Sequence, residues 1–300
     1  MEMIEMGQCP ICGCKNNKFL GLPKLTDKVK KLLNKDYRLY KCTACAYYFT
    51  IPNIQLSENE WNQLYSDDYF GVMTKWWADK RRRERNYILN KLITFSKNKF
   101  EKFLEIGVGE GYILIEAMKR GWHPTGIDVY DNRIPEAKSE KTTFLVGDFL
   151  KTNIPKESYD CIYLDSVLEH VPDPQAYIRK LYKILKSNGL IYLSIPNEDA
   201  LIFEFKNTIY KILGKKENSL SYQPFLHPYH INGFTKKSLF KIMESNGFKV
   251  LNYRNYAGWY EFLKFKFLSK SFIKAFLTLP IHLIAILIRR QFYQDIIAMK

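Results

Sequence analysis

Carboxylates recur through the middle of the chain, each beside a short apolar run. Glu105 precedes a glycine-rich turn, Asp128 ends the next apolar run, and Asp148 and Asp165 follow the two after that. A carboxylate at such a place can attract a cation, or accept hydrogen bonds from ribose hydroxyls and from the exocyclic amine of a base. These spacings therefore predict a site for a nucleoside-like ligand that carries positive charge.

Three glycines, Gly107, Gly109 and Gly111, alternate with other residues after Glu105. Glycine lets the backbone bend sharply and approach a ligand where a Cβ would collide. A dinucleotide site favours the spacing G-x-G-x-x-G, but here the third glycine comes one residue early. Glu105 would also repel a pyrophosphate and attract a cation. We therefore interpret the loop as a site for S-adenosylmethionine, which has an amino group, a sulfonium and no phosphate.

Two C-x-x-C pairs lie near the amino terminus, formed by Cys9 with Cys12 and by Cys42 with Cys45. Each pair can hold one edge of a tetrahedral zinc ion, so together they predict a site with four thiolate ligands. Unligated buried thiols are the alternative. Four thiolates leave no open position for catalysis, so we expect a structural zinc ribbon with Cys14 as a bystander or a fallback ligand.

Three of the five histidines are candidates for proton transfer. His170 follows a predicted strand and is the first candidate general base, ahead of His230 and His227. The alternative for His170 is a structural role, in which it orients the loop after Glu169. No second cluster of acids is visible beyond the cofactor set, which disfavours metal-dependent transfer to a catechol.

Strands and helices alternate from Lys102 onward, which predicts a doubly wound α/β sheet. The predicted strands are 102–106, 124–129, 142–146, 159–164, 190–195 and 248–256, with a last, antiparallel strand at 295–300. The four acids then lie at the carboxyl ends of successive strands and can face one crevice. We expect Asp128 at the ribose, and Asp148 at the adenine amine with Phe149 stacked on the ring.

The glycine loop, the stretch Asp165–Asp173 and the stretch Leu185–Pro196 resemble motifs of class I S-adenosylmethionine-dependent methyltransferases. With its zinc ribbon, the chain also resembles methyltransferases of surface-glycan and natural-product pathways and the amino-terminal part of sugar C-methyltransferases. The resemblance implies a Rossmann-like seven-stranded sheet with helices on both faces, and a cofactor contact at Tyr69. It divides the chain into a zinc ribbon (1–56), a helical connector over the cofactor (57–98) and a methyltransferase domain (99–300) with insertions at 198–233 and 258–291.

Positive charge is in large excess, with a formal net charge of +15. This suggests an anionic partner, such as nucleic acid, a nucleotide-linked substrate or anionic lipid; the alternative is a solvated, lysine-rich surface. The basic run Arg81–Arg85 could bind phosphate, but we expect a solvated helix face. The apolar part of 258–291 is short for a membrane span. Its basic flanks favour an interfacial helix on anionic lipid, with a hydrophobic cap or a dimer face as the alternative.

Six cysteines do not form a disulfide scaffold in a chain this long, and Met1–Gln8 lacks a long apolar run. We therefore expect a cytoplasmic protein, with peripheral contact to the inner face of the membrane. The predicted function is methyl transfer to a sugar, a nucleotide-linked sugar or a lipid-linked glycan. An RNA methyltransferase that binds its substrate through the ribbon is one alternative, although no basic–aromatic patch is visible. A non-catalytic S-adenosylmethionine-binding protein is another.

Overall fold

The computed structural model describes residues 7–33, 35–64, 75–96, 99–214, 222–257 and 269–300; Tyr69 lies outside them. Within these ranges the helices are α1 (Asp27–Leu32), α2 (Glu58–Leu64), α3 (Lys75–Phe95), α4 (Tyr112–Lys119), α5 (Pro174–Ile184), α6 (Leu201–Ile212), α7 (Lys236–Ser245) and α8 (Lys270–Leu287). The strands are β1 (Asn17–Gly21), β2 (Arg38–Cys42), β3 (Tyr48–Ile51), β4 (Lys102–Ile106), β5 (His123–Asp128), β6 (Thr143–Val146), β7 (Tyr159–Asp165), β8 (Leu185–Pro196), β9 (Lys249–Tyr256) and β10 (Tyr293–Met299).

The larger sheet has the strand order β6-β5-β4-β7-β8-β10-β9, and β10 is antiparallel to both of its neighbours. This confirms the predicted seven-stranded sheet with a final antiparallel strand. The chain runs outward from β4 to β6 and then returns to the other side of β4 at β7. The strand order therefore reverses between β4 and β7, and a ligand crevice forms at the carboxyl ends of strands at such a point.

Helices cover both faces of this sheet because alternate residues of each central strand point to opposite faces. Phe103 packs with Ile88 of α3 and Ile113 of α4 in one core cluster. Its neighbour Leu104 packs in the other cluster, with residues of α5 and α7. Because β4 is buried on both faces, its residues from Phe103 to Ile106 form a buried run instead of an alternating one.

The three-stranded antiparallel sheet β1-β2-β3 packs directly against the larger domain. Tyr47 and Phe49 belong to the same core cluster as Phe234. The backbone groups of Tyr48 and Gly233 exchange two hydrogen bonds, of 2.8 and 3.0 Å. A Cβ at position 233 would meet the Tyr48 Cβ at 2.7 Å, so glycine permits this approach. The ribbon therefore shares its core with the domain that it precedes.

Helices α6 and α8 pack against each other and leave broad apolar faces in solvent. No residue of α6 is buried. The exposed apolar side chains are Phe205, Ile209, Ile212 and Leu213 in and after α6, and Ile273, Phe276, Leu277, Leu283, Ile284, Ile286, Leu287 and Ile288 in and after α8. As predicted, α8 lies between β9 and β10 in the chain. Among the described helices, none has the length and apolarity to cross a bilayer.

Candidate functional site

The glycine loop connects β4 to α4 with three residues in left-handed conformations. Gly107, Gly109 and Gly111 have φ values of +74°, +53° and +82°, which residues other than glycine rarely adopt. A Cβ at Gly107 would lie 2.4 Å from Val167, and one at Gly111 would lie 2.6 Å from the Cβ of Ala137. At Gly109 a Cβ would meet nothing within 4 Å. The outer glycines are therefore needed for packing, whereas Gly109 faces open space where a ligand can approach.

Glu105 is buried beneath this loop, and its Oε2 atom has no hydrogen-bond partner. Burial raises its pKa well above the usual value, the nearby Asp128 and Asp165 raise it further, and Arg85 opposes them. A cationic ligand group placed here would stabilise the ionised form. The arrangement therefore favours binding of an ammonium or sulfonium group.

Arg85 of α3 corrects the expectation that the whole basic run Arg81–Arg85 is a solvated helix face. Its Nε atom is buried and has no hydrogen-bond partner. Burial acts to lower the pKa of Arg85, but Tyr163, Asp165 and Glu105 raise it above its usual value. A buried guanidinium with an unpartnered N–H is suited to bind a carboxylate, such as that of an amino-acid moiety.

Asp128, at the end of β5, accepts a hydrogen bond of 2.9 Å from the Gly109 backbone N–H. This contact joins the second strand to the glycine loop and places the carboxylate beside the open position. Burial raises the pKa of Asp128, and the hydrogen bond from Gly109 opposes that rise. Asp148 is exposed after β6 and accepts from the Leu150 N–H at 2.8 Å. Both acids therefore follow the strand ends, as predicted.

Phe149 does not occupy the place predicted for it, because its side chain is only 3% exposed and lies in the core. Its ring packs against Tyr177, with centroids 4.7 Å apart, and the Lys180 ammonium lies 4.8 Å from it. An apolar side chain that is available for stacking on a base is Val129. It directly follows Asp128 and is 56% exposed. The prediction overlooked Val129, although its position after the strand-end acid was visible in the sequence.

Beyond β7, the structure brings His170 next to His230, with ring centroids 5.0 Å apart. Burial and, to a smaller extent, the neighbouring His230 lower the pKa of His170 to about 3. Burial likewise lowers the pKa of His230 to about 4. Both imidazoles are thus neutral near pH 7, and a neutral imidazole has one unprotonated ring nitrogen. His227 is exposed, and its ring stacks edge-on with Tyr229 at 6.1 Å.

Glu169 completes this group, and the sequence did not indicate its role. It is 1% exposed, and neither carboxyl oxygen has a hydrogen-bond partner. Burial raises its pKa to about 8. One ligand atom from each of Glu169, His170 and His230 lies within 4.8 Å of the others, a geometry that could hold a metal ion. This group contains a single acid with two histidines, and the sequence did not reveal it because His230 is distant along the chain.

Asn232 positions the loop that carries these groups. Its side-chain amide donates to the carbonyl oxygens of Leu168 and Val171, at 3.1 and 2.6 Å. The hydroxyl of Tyr47 in the ribbon donates to its carbonyl oxygen. The backbone N–H of Asn232 also donates to the Glu169 carbonyl oxygen at 3.0 Å. The ribbon is thus linked to the candidate catalytic loop through one buried side chain.

The four predicted zinc ligands converge as expected. One sulfur from each of Cys9, Cys12, Cys42 and Cys45 lies within 4.8 Å of the others. The Cys9–Cys45 and Cys12–Cys42 sulfur distances are 3.6 and 3.5 Å. Zinc–sulfur bonds of about 2.3 Å require sulfurs about 3.8 Å apart in a tetrahedron, so the donor set fits zinc. Cys14 instead donates to the Asn16 carbonyl oxygen.

Similar turns form the two C-x-x-C halves of the candidate zinc site. Gly13 and Ala46 occupy left-handed positions, with φ of +70° and +59°. Their backbone N–H groups donate to the carbonyl oxygens of Cys9 and Cys42, at 2.9 and 3.0 Å. The Cys45 N–H points to the Cys42 sulfur at 3.4 Å. Such N–H contacts stabilise a thiolate, so both turns are suited to metal binding.

Comparison with known proteins identifies the fold and the family. A family model described as a methyltransferase domain matches residues 78–253, more than half of the chain. A SAM-dependent methyltransferase from Archaeoglobus fulgidus aligns with a TM-score of 0.50 at 20% identity, over 73% of this chain and 94% of that one. The 1,6-didemethyltoxoflavin-N1-methyltransferase of Burkholderia thailandensis aligns with a TM-score of 0.52 at 13% identity, over 89% and 97%. The fold is that of S-adenosylmethionine-dependent methyltransferases.

Curated relatives are named ubiquinone biosynthesis O-methyltransferase. The protein from Saccharophagus degradans is 30% identical over 157 residues, which are 49% of this chain and 66% of that protein. The protein from Xanthomonas campestris is 24% identical over 223 residues, or 69% of this chain and 92% of the relative. The chain spans just under two thirds of the length of the relatives that it matches first.

Proposed function

Since the chain belongs to the methyltransferase family whose domain spans residues 78–253, we propose that it transfers the methyl group of S-adenosylmethionine to a hydroxyl of a small acceptor. The preferred acceptor is a sugar carried on a lipid or a nucleotide. The observation that carries this proposal is the neutral pair His170 and His230, set beside β7 at the same edge of the sheet as the glycine loop.

The cofactor-binding residues of this proposal are Glu105, Gly107, Gly109, Gly111, Asp128, Asp148 and Asp165, with Arg85 and Val129 added from the structure. Arg85 would bind the carboxylate of the amino-acid part, and Asp128 the ribose hydroxyls. Glu105, next to Arg85, would bind the amino group and ionise on binding. Bound S-adenosylmethionine supplies an electrophilic methyl group. The protein contributes alignment and the exclusion of water, which are the main sources of acceleration in such a displacement.

His170 is the proposed general base, with His230 next to it. A neutral imidazole could accept a hydrogen bond from the acceptor hydroxyl and take its proton as the oxygen–methyl bond forms and the sulfur–methyl bond breaks, with S-adenosylhomocysteine as the leaving group. Glu169, protonated near neutral pH, adds no negative charge beside His170, whose Nε2 lies 4.0 Å from Oε1 of Glu169. The exposed His227 is a weaker candidate, because its ring lies against Tyr229 and outside the His170–His230 pair.

A lipid-linked acceptor is favoured by the apolar faces of α6 and α8, which would rest on an anionic membrane. The curated relatives, whose names give ubiquinone biosynthesis and O-methylation, support transfer to oxygen. Large exposed apolar surfaces are uncommon unless they bind something, and basic residues such as Lys206, Lys211 and Arg289 border these helices. We further propose that the ribbon holds one structural zinc ion at Cys9, Cys12, Cys42 and Cys45.

The test uses methyl-labelled S-adenosylmethionine, purified protein and a cell extract that is separated into lipid, sugar-nucleotide and RNA fractions. Label in the lipid or sugar-nucleotide fraction, released by treatments that cleave methyl ethers, supports the proposal. His170→Gln should lower turnover by about 10²–10⁴-fold and leave S-adenosylhomocysteine binding unchanged. Label confined to RNA would replace this proposal with the RNA methyltransferase. Cofactor binding without label in any fraction would favour a non-catalytic role.

A further inference from the structure

A basic groove lies between the ribbon, α7 and the end of α8, and the proposed chemistry does not use it. Its volume is about 900 Å³, within the range of small-molecule sites. Five cationic residues line it, namely Lys236, Lys237, Lys241, Arg289 and Arg290, against two acids, Asp199 and Glu244, and two of the proposed zinc ligands, Cys12 and Cys45. The sequence showed no basic–aromatic patch, but folding creates one here, because Phe240 and Tyr253 also line the groove.

One of the two acids in the groove is already paired. Asp199 accepts from the Lys41 ammonium at 2.9 Å. Arg290 is held by Glu204 at 2.8 Å and by the Asp199 carbonyl oxygen. No described carboxylate forms an ion pair with Lys237, Lys241 or Arg289. Positive charge in the groove is therefore only partly neutralised by the described residues.

The positions of these cations are unfavourable unless an anion joins them. Lys237 and Lys241 stand four residues apart on one face of α7, where like charges repel. Arg289 has a left-handed backbone with φ of +55°, at a place after a helix where glycine is common. Lys236 is an exception, because its ammonium lies 4.9 Å from the Tyr253 ring in a favourable cation–π contact. An anionic group would relieve the repulsion and meet donors on several sides.

The location of the groove relates this anion to the methyl acceptor. Asn197 and Asp199 directly follow β8, the neighbour of β7 in the sheet, so the groove opens beside the crevice. Ile288 joins the groove to the exposed apolar face of α8. A ligand that crosses from the crevice to α8 would place its middle part here. In a lipid-linked or nucleotide-linked sugar, that part is a phosphate or diphosphate.

We propose that the groove of Lys236, Lys237, Lys241, Arg289 and Arg290 binds the diphosphate of the methyl acceptor. This inference rests on the proposed function, because it identifies the charged group of that substrate. Ammonium and guanidinium groups on several sides can bind both phosphates by charge-assisted hydrogen bonds.

The test measures binding of three probes by calorimetry in the presence of S-adenosylhomocysteine: inorganic pyrophosphate, uridine diphosphate and farnesyl diphosphate. The groove variant is Lys237→Gln with Lys241→Gln. Its control is Lys141→Gln with Lys156→Gln, which removes the same charge from exposed turns before strands at the opposite edge of the sheet. We expect the groove variant to lose at least tenfold in affinity for the diphosphates, and the control to lose less than twofold. High salt should weaken wild-type binding.

The three probes distinguish the source of the diphosphate. Tighter binding of farnesyl diphosphate supports a lipid-linked acceptor, and tighter binding of uridine diphosphate supports a nucleotide-linked one. Equal affinities in the wild type and the groove variant, or no binding of any probe at millimolar concentration, would overturn the assignment. The assignment would also be overturned if an RNA 12-mer bound more tightly than all three probes and the groove variant lost that RNA binding. Binding of S-adenosylhomocysteine is recorded separately, so failure of the cofactor site is distinguished from failure of the groove.

Discussion

Replacing Gly109 with alanine should separate cofactor binding from folding. The backbone at Gly109 is left-handed, and an added Cβ would meet no atom within 4 Å. The left-handed conformation costs alanine about 1–2 kcal/mol, while the reduced freedom of the unfolded chain returns about 0.4–1 kcal/mol. The net loss of stability is therefore about 1 kcal/mol, which lowers Tm by roughly 2–4 °C in a protein of this size.

Cofactor binding should change much more. If the open space at Gly109 holds the ligand, the new methyl group overlaps it. Overpacking by one methyl group typically costs about 1–3 kcal/mol, which corresponds to a loss of affinity of roughly 5- to 150-fold. Titration calorimetry with S-adenosylhomocysteine measures this loss, and thermal unfolding of the ligand-free protein measures stability.

The matched control is Gly121→Ala, after α4 at the opposite edge of the sheet. Gly121 is also left-handed, with φ of +75°, and a Cβ there also meets nothing within 4 Å. The two variants should lose similar stability, but Gly121→Ala should bind cofactor like the wild type. Gly111→Ala should be less stable than either, because its Cβ would lie 2.6 Å from Ala137. Equal cofactor affinities in the Gly109 and Gly121 variants would refute the assignment of the open space to the ligand.

Three further predictions concern zinc, pH and membranes. The purified protein should contain about one zinc ion per chain, measured by mass spectrometry. Cys42→Ser should lower the metal content, and it should also lower Tm because the ribbon shares its core with the larger domain. A stable, metal-free wild type would contradict this prediction. Burial raises the pKa of Glu169 to about 8 from 4.5, so between these values the native state holds a proton that the unfolded state lacks, and stability falls as pH rises through the window. In the wild type, this effect should lower the free energy of unfolding by about 3 kcal/mol between pH 5 and pH 8, and Glu169→Gln should abolish that decrease in urea unfolding. An unchanged pH dependence in the variant would show that Glu169 ionises normally. Replacing the exposed Phe276 and Leu277 with serine should weaken sedimentation with anionic vesicles without changing cofactor affinity; a wild type that never sediments with vesicles would rule out the membrane contact.

Local patterns predicted most of the fold. The apolar runs between glycine turns marked the strands of the large sheet, including the final antiparallel strand and the position of α8 before it. The glycine loop and the strand-end acids could be recognised because their chemistry depends on residues that are close in sequence. The cysteine pairs could be recognised for the same reason, since each C-x-x-C turn holds two sulfurs by its own backbone.

Side-chain placement was predicted less well, because it depends on which elements pack together. Phe149 was expected to stack on the adenine, but packing of α5 against the sheet covers its ring with Tyr177. Arg85 belongs to a run of arginines that the sequence could not distinguish. The position of α3 against β4 and β7 brings Arg85 next to Asp165 and the buried Glu105.

The sequence by itself determined the family, the cofactor loop and the metal-ligand spacing, since these rest on backbone preferences and short-range geometry. The tertiary structure alone decided that His230 joins Glu169 and His170, and that lysines of α7 and arginines after α8 line one groove. These groups are far apart along the chain, and they meet because the segment before α7 packs on the loop after β7 and because β10 inserts between β8 and β9. The pKa values of Glu169, His170 and His230 follow from that packing, because burial shifts each of them.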